Sequence, residues 1–230
     1  MGSGKGKARR LQSDKVQLEH QPSLTVLADG TKEWRQQHGL LHRVGGPAII
    51  SPEGALGWYQ RGARHCADGP AIIAADGSEE WYYEGLHHRI GGPAVDHVDG
   101  SKEWYLHGQW HREDGPALEF STGTKEWRLY DQRHRVDGPA IEMEGGHKEW
   151  WVHGKRHRID GPAIEYPNGD KEWYQDDLMH RADGPALERV DGTQLWWLDG
   201  VCVGREVVEK ALAVERAGDV KLDAPERVTF

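Results

Sequence analysis

The chain has 230 residues and a formal net charge of −9, from 29 Lys and Arg against 38 Asp and Glu, with 37% hydrophobic content. Its 11 Trp, 7 Tyr, 30 Gly and 11 Pro are not the composition of a disordered polymer, which is poor in aromatics. No stretch nears the ~18 apolar residues of a membrane span, the polar N-terminal segment lacks the apolar core of a secretory leader, and Gly6 spoils the myristoylation pattern of Met1-Gly2. The chain is therefore expected in the cytoplasm.

In chain order, residues 1–22 are polar and carry Lys5, Lys7, Arg9, Arg10 and Lys15, a flexible tail by composition. Residues 23–203 hold seven and a half copies of a 23-residue unit. The segment His-Arg-x-Asp-Gly-Pro-Ala starts at His42, His65, His88, His111, His134, His157 and His180, with Gly45 and Gly91 at the Asp position and Cys66 at the Arg position in three of the copies. A tryptophan ladder runs through Trp34, Trp58, Trp81, Trp104, Trp127, Trp150, Trp173 and Trp196, with one extra residue between Trp34 and Gly39. A glycine stands four residues before each Trp, from Gly30 to Gly192.

Turn chemistry divides each unit into two expected strands, Ser101–Leu106 ending at His107-Gly108, and Ala117–Phe120 led in by Asp114-Gly115-Pro116. Asp131 and Asp177 replace the glycine after the first strand, and Asp is among the few residues that tolerate positive φ. Alternation places Trp104 and Leu106 on one face and Glu103 and Tyr105 on the other. On this reading the Trp ladder, with Ile49, Ile72, Val95, Leu118, Ile141, Ile164 and Leu187, is the structural face. A mixed row of Arg35, Tyr59, Tyr82, Tyr105, Arg128, Trp151, Tyr174 and Trp197 projects from the opposite, exposed face. The expected fold class is all-β: an elongated antiparallel sheet of β-hairpin repeats, single-layered or solenoid-like. Sixteen strands at about 4.8 Å spacing would extend roughly 75 Å.

Residues 204–230 complete the chain. Arg205–Ala217 has helix formers with Val207, Val208, Ala211, Leu212 and Val214 on one stripe, and Gly218 suits a C-cap. This amphipathic helix either caps the apolar face of the last hairpin, as the ends of repeat proteins require, or docks a partner.

The 23-residue unit, with Trp104, Gly108, His111 and the Asp99-Gly100 turn at fixed spacing, resembles the membrane occupation and recognition nexus (MORN) repeat in its bacterial and phage variant form. The resemblance covers about three quarters of the chain, with Arg-x-Asp-Gly-Pro-Ala in place of the His-Gly-x-Gly of the commonest form. It implies an elongated antiparallel sheet, often twisted into an open groove, serving as a protein-binding or dimerising scaffold. Nothing in these residues points to lipid binding.

The seven ladder histidines do not suit a metal: equivalent positions two strands apart are separated by about 9.6 Å, whereas zinc ligands each approach the ion to about 2.0–2.1 Å. Asp68, Asp114, Asp137, Asp160 and Asp183 are instead expected to cap turn N–H groups, with each adjacent Arg meeting a carboxylate of the next repeat. No phosphate loop, nucleophile elbow, His-Glu-x-x-His or Cys-x-x-Cys occurs, and Cys66, standing where other repeats have Arg, reads as drift. Cys66 and Cys202 are too few for a metal cluster and too distant in sequence to propose a bridge. Catalytic groups, cofactors and metals are not expected. The acidic balance disfavours nucleic acid despite the repeated Arg and Lys. Two functions stay open: a non-enzymatic scaffold that binds another protein through the row Tyr59, Tyr82, Tyr105, Arg128, Trp151, Tyr174 and Trp197, as an inhibitor or antitoxin-like partner, and a structural repeat that associates with itself. Tyr, Trp and Arg are the types enriched among interface anchors.

Overall fold

A computed structural model describes residues 21–218; most of the expected N-terminal tail lies outside them. The chain divides into two compact units, residues 1–121 and 122–230, each built from the same repeat.

The repeat contains four two-residue strands rather than two. Around Trp104 they are Lys102–Glu103, Tyr105–Leu106, Gln109–Trp110 and Leu118–Glu119. Tyr105–Leu106 folds back on Gln109–Trp110 through His107 and Gly108, whose φ values of 50° and 83° are those of a two-residue primed hairpin turn. Asp131 and Asp177 hold φ of 66° and 67° at the equivalent glycine position, as the turn reading requires. Lys102–Glu103 and Leu118–Glu119 pair with each other in a separate body sheet. Trp104 sits at the crease between the two: its N–H donates to the Ala117 carbonyl and its own carbonyl accepts the His111 N–H.

In the first unit, nine body strands run from Ser23–Val26 to Leu118–Glu119, each antiparallel to the next in sequence order. Its first repeat has a short 3-10 turn, Gln37–Gly39, where the others have a hairpin, and this absorbs the extra residue. In the second unit, eight body strands run from Lys125–Glu126 to Val201–Val203 in the same manner. The helix Arg205–Gly218 follows and packs against the Gln194–Leu198 strand. Val208 is buried and Leu212 half-buried, while Val207, Ala211 and Val214 are exposed, so only part of the expected stripe is used.

Register overturns the expected faces. Glu103 lies opposite both Leu118 and Val95, and Lys102 opposite Glu119 and Asp96. Directly opposed residues share a face, so Leu118 belongs with Glu103 and Tyr105, not with Trp104. Alternation fixes faces within a strand but leaves the pairing between strands open, and a one-residue slip exchanges them. The core accordingly lies on the Glu/Tyr side, where Val95, Leu118, Ile141, Ile164 and Leu187 are buried. Ala48, Ala71, Ala94, Ala117, Ala140, Ala163 and Ala186 line the crease with no exposure at all.

Candidate protein-binding face

The row expected to face a partner is internal packing. Tyr82 and Tyr174 are buried, and Tyr59, Tyr105, Arg128, Trp151 and Trp197 are half-buried. The return strand of each hairpin, unforeseen in the sequence, inserts a side chain between successive members. In the first unit Arg64 reaches the Tyr82 hydroxyl at 2.7 Å, His87 stacks between Tyr82 and Tyr105 at 4.1 and 4.9 Å, and Trp110 follows Tyr105 at 5.5 Å. In the second unit Arg156 lies over Tyr174 at 4.0 Å and near Trp151 at 5.9 Å. Several members of the row also hold down the core glutamate two residues earlier: Tyr82 donates to Glu80 at 2.7 Å, Arg128 to Glu126 at 2.8 Å, Trp151 to Glu149 at 2.6 Å and Tyr174 to Glu172 at 2.9 Å. The hydrogen bond to His87, helped by those from Tyr82 and by Arg64, pulls the Glu80 carboxyl down to about 2 against its burial. Burial and the neighbouring carboxylates push the Tyr82 and Tyr174 hydroxyls up to about 12. The Tyr82 and Tyr174 hydroxyls are consumed within the row.

The histidines stitch repeats together. His65 Nδ1 accepts the N–H of Glu84, His88 that of His107, His134 that of His153 and His157 that of Asp176, at 3.1 to 3.3 Å. Each donor is the first residue of the next hairpin turn, in the left-handed region with φ near 50°. A histidine that accepts at Nδ1 must be neutral with its proton on Nε2, so these histidines serve as structural links between repeats.

The other face is formed by Trp and Arg. Arg43, Arg89, Arg112, Arg135, Arg158 and Arg181 lie over Trp34, Trp81, Trp104, Trp127, Trp150 and Trp173, with the guanidinium carbon 3.7 to 4.1 Å from the ring centroid. Arg112 Nη1 donates to the Pro116 carbonyl at 3.2 Å and to Glu119 at 3.0 Å, while Nε donates to Asp114 at 2.9 Å; Arg135, Arg158 and Arg181 repeat the pattern. This corrects two expectations: the Asp side chain meets the guanidinium, and the carboxylates that Arg meets lie within its own repeat. The ladder tryptophans are half-buried, except Trp173, which is buried.

The residue between Arg and Asp projects from the tip of each tract. Val44, Ile90, Val136 and Ile159 are 79 to 85% exposed. Between neighbouring tips lie clefts floored by tryptophan: about 360 Å³ beside Ile90 over Trp104, about 710 Å³ between Val136 and Ile159 over Trp150, and about 490 Å³ between Ile159 and Ala182 over Trp173. Exposed Asp114, Asp137, Asp160 and Asp183 rim them. Sequence reasoning missed this surface, though aliphatic residues inside an otherwise polar turn were the available signal.

Among the described residues, no three His, Cys, Asp or Glu side chains converge as metal ligands, and none of the described helices is long and apolar enough to cross a membrane. Both cysteines are free thiols. No protein-family model matches the chain, and no curated protein matches it significantly.

Proposed function

We propose that this protein is a non-enzymatic, MORN-like repeat scaffold of the cytoplasm that binds another protein, and that it does so through the Trp/Arg face. The observation that carries the reading is the solvent-exposed aliphatic tips, Ile90 in the first unit and Val136 and Ile159 in the second, each beside clefts with tryptophan floors. Apolar anchors set among aromatic and arginine side chains are the composition of an interface core. The tyrosine row does not offer this, because its hydroxyls and ring faces are already engaged.

The test is the triple variant Ile90→Asp, Val136→Asp, Ile159→Asp. Because these side chains are exposed, the melting temperature is expected to stay within the range of ordinary surface substitutions, each below about 0.5 kcal/mol. Crosslinking in native cells followed by mass spectrometry is expected to lose the partner found with the wild type. A variant that folds and retains its partner removes this face from the interaction. A wild-type chain that crosslinks only to itself, with concentration-dependent elution abolished in the variant, identifies a self-associating repeat instead.

A further inference from the structure

Of the eight ladder tryptophans, six lie under an arginine of their own repeat, and Trp196 lines a cleft with Val208 and Leu212 of the C-terminal helix. Trp58 has neither cover, because Cys66 stands at the arginine position. The space is open as well as unassigned. A β-carbon built on Gly46, Gly92, Gly115, Gly138, Gly161 or Gly184 would meet the guanidinium carbon at 2.7 to 3.2 Å, which locates the cation against the glycine of Asp-Gly-Pro. Built on Gly69, it meets nothing nearer than Cys66 Sγ at 4.0 Å.

Of the groups that receive the guanidinium elsewhere, the proline carbonyl and the turn aspartate are present here, while Ile73 stands where the Trp104 repeat has Glu119. Pro70 keeps the carbonyl that in the other repeats accepts from Nη1 at 3.0 to 3.2 Å. Asp68 corresponds to Asp114, Asp137, Asp160 and Asp183, which accept from Nε at 2.7 to 3.0 Å, and it is exposed. The internal cations are gone: Leu56 stands where the Trp104 repeat has Lys102, and Ile50 and Ile73 flank Leu56 in register. Ala67 at the tip is the smallest side chain in its row apart from Ala182, so the approach is unobstructed by a Val or Ile.

We infer that Trp58, Asp68 and the Pro70 carbonyl form a receiving slot for an arginine side chain supplied by a partner protein, a deepening that rests on the scaffold reading above. The six internal copies define the chemistry. A planar guanidinium stacks on the indole while its edge makes hydrogen bonds in two directions, a geometry that a lysine ammonium cannot reproduce. Repeat one shows that carboxylates are not both required, since Arg43 occupies its slot with Gly45 and Ile50 at the two acidic positions.

The slot is tested on the full chain, ¹⁵N-labelled, by following the Trp58 indole resonance, assigned by its loss in Trp58→Phe. Titration with Nα-acetyl-arginine amide is expected to shift this resonance at a concentration about tenfold below that needed for the lysine amide or the uncharged citrulline amide. Cys66→Arg is expected to abolish the shift by filling the slot internally, and to raise the melting temperature. Asp68→Asn, which leaves the fold's buried groups untouched, is expected to weaken the arginine probe several-fold. The inference is overturned by an unmoved resonance, by equal response to citrulline amide or to N-acetyl-leucine amide, or by an undiminished response in both variants. Because the probe needs no protein partner, a saturating arginine titration alongside an unaffected Ile90, Val136, Ile159 variant strikes the placement of the scaffold's binding face alone, and the reverse result strikes the slot alone.

Discussion

At Gly138 a β-carbon would lie 2.8 Å from the guanidinium carbon of Arg135, which itself lies 3.9 Å from the Trp127 ring centroid. Neither Gly138 nor Gly69 has a positive φ, so the two glycines differ in what lies beside them rather than in backbone strain. Gly138→Ala must push the arginine off its ring and its Pro139 carbonyl, and is expected to cost about 1–2 kcal/mol, the scale of a partly desolvated cation–π contact with its hydrogen bond. Gly69→Ala, with no guanidinium to displace, is expected to be neutral or mildly stabilising through the unfolded chain. Urea denaturation of the two single variants reads the difference, and equal destabilisation would show that the glycine answers a backbone need instead. At this scale the sequence was legible only where a residue's own turn chemistry decides its conformation, as at Asp131 and Asp177. It was not legible where a partner 8 or so positions along the chain decides the role: the pairing of Arg with Trp, and hence the meaning of Cys66, needs the fold to bring them together.

The hairpin is the element through which the histidines act. Each return strand is only two residues long and chemically irregular, Ala63–Arg64, Leu86–His87, Gln109–Trp110, Gln132–Arg133, Lys155–Arg156 and Leu178–Met179. No β-rich pattern announces it, and missing it left the tyrosine row without neighbours and therefore apparently exposed. Glu84, His107, His153 and Asp176, each the first residue of a hairpin turn, donate their N–H groups to the preceding repeat's histidine, so this ladder links repeat to repeat. Burial first, and then the proximity of His107 and His153, lowers the pKa values of His88 and His134 below the ordinary histidine value. The unfolded chain then binds protons more readily than the folded one. The contribution is fully present above the unfolded value of about 6.5 and is lost as pH falls through it toward the lower folded values. The melting temperature is expected to fall between pH 7.5 and 5.5. The double variant His88→Asn, His134→Asn, whose side-chain oxygens can accept the same N–H groups without titrating, is expected to show a shallower slope. A second acid transition belongs to Glu80, whose depressed carboxyl contributes stability above its ordinary value of 4.5 that is lost as pH falls toward about 2. An unchanged slope in the double variant would place the neutral-range titration elsewhere.

On the scale of the whole molecule, the period and the all-β class were legible because they are properties of recurrence, which survives any error of register, and the terminal helix was legible from its own amphipathic stripe. What a repeat array cannot obtain from recurrence is an end. The last repeat lacks the His-Arg tract, with Val201, Cys202 and Val203 in its place, and the helix Arg205–Gly218 packs on the strand that carries Trp196. Val208, only 1% exposed, is the side chain that seals this junction. In a stack where each repeat leans on its neighbours, loss of a cap propagates inward and weakens with distance. Val208→Asp places a carboxylate at a buried position and is expected to cost several kcal/mol locally. Hydrogen exchange should therefore quicken most at Gln194–Leu198 and Val201–Val203, less at the Leu187–Glu188 strand, and little at Ile141–Glu142 within the same unit. Uniform acceleration across all of these strands would mean that the unit unfolds as one cooperative block. No acceleration at Gln194–Leu198 would mean that the helix caps nothing, and that its buried valine answers only to the helix itself.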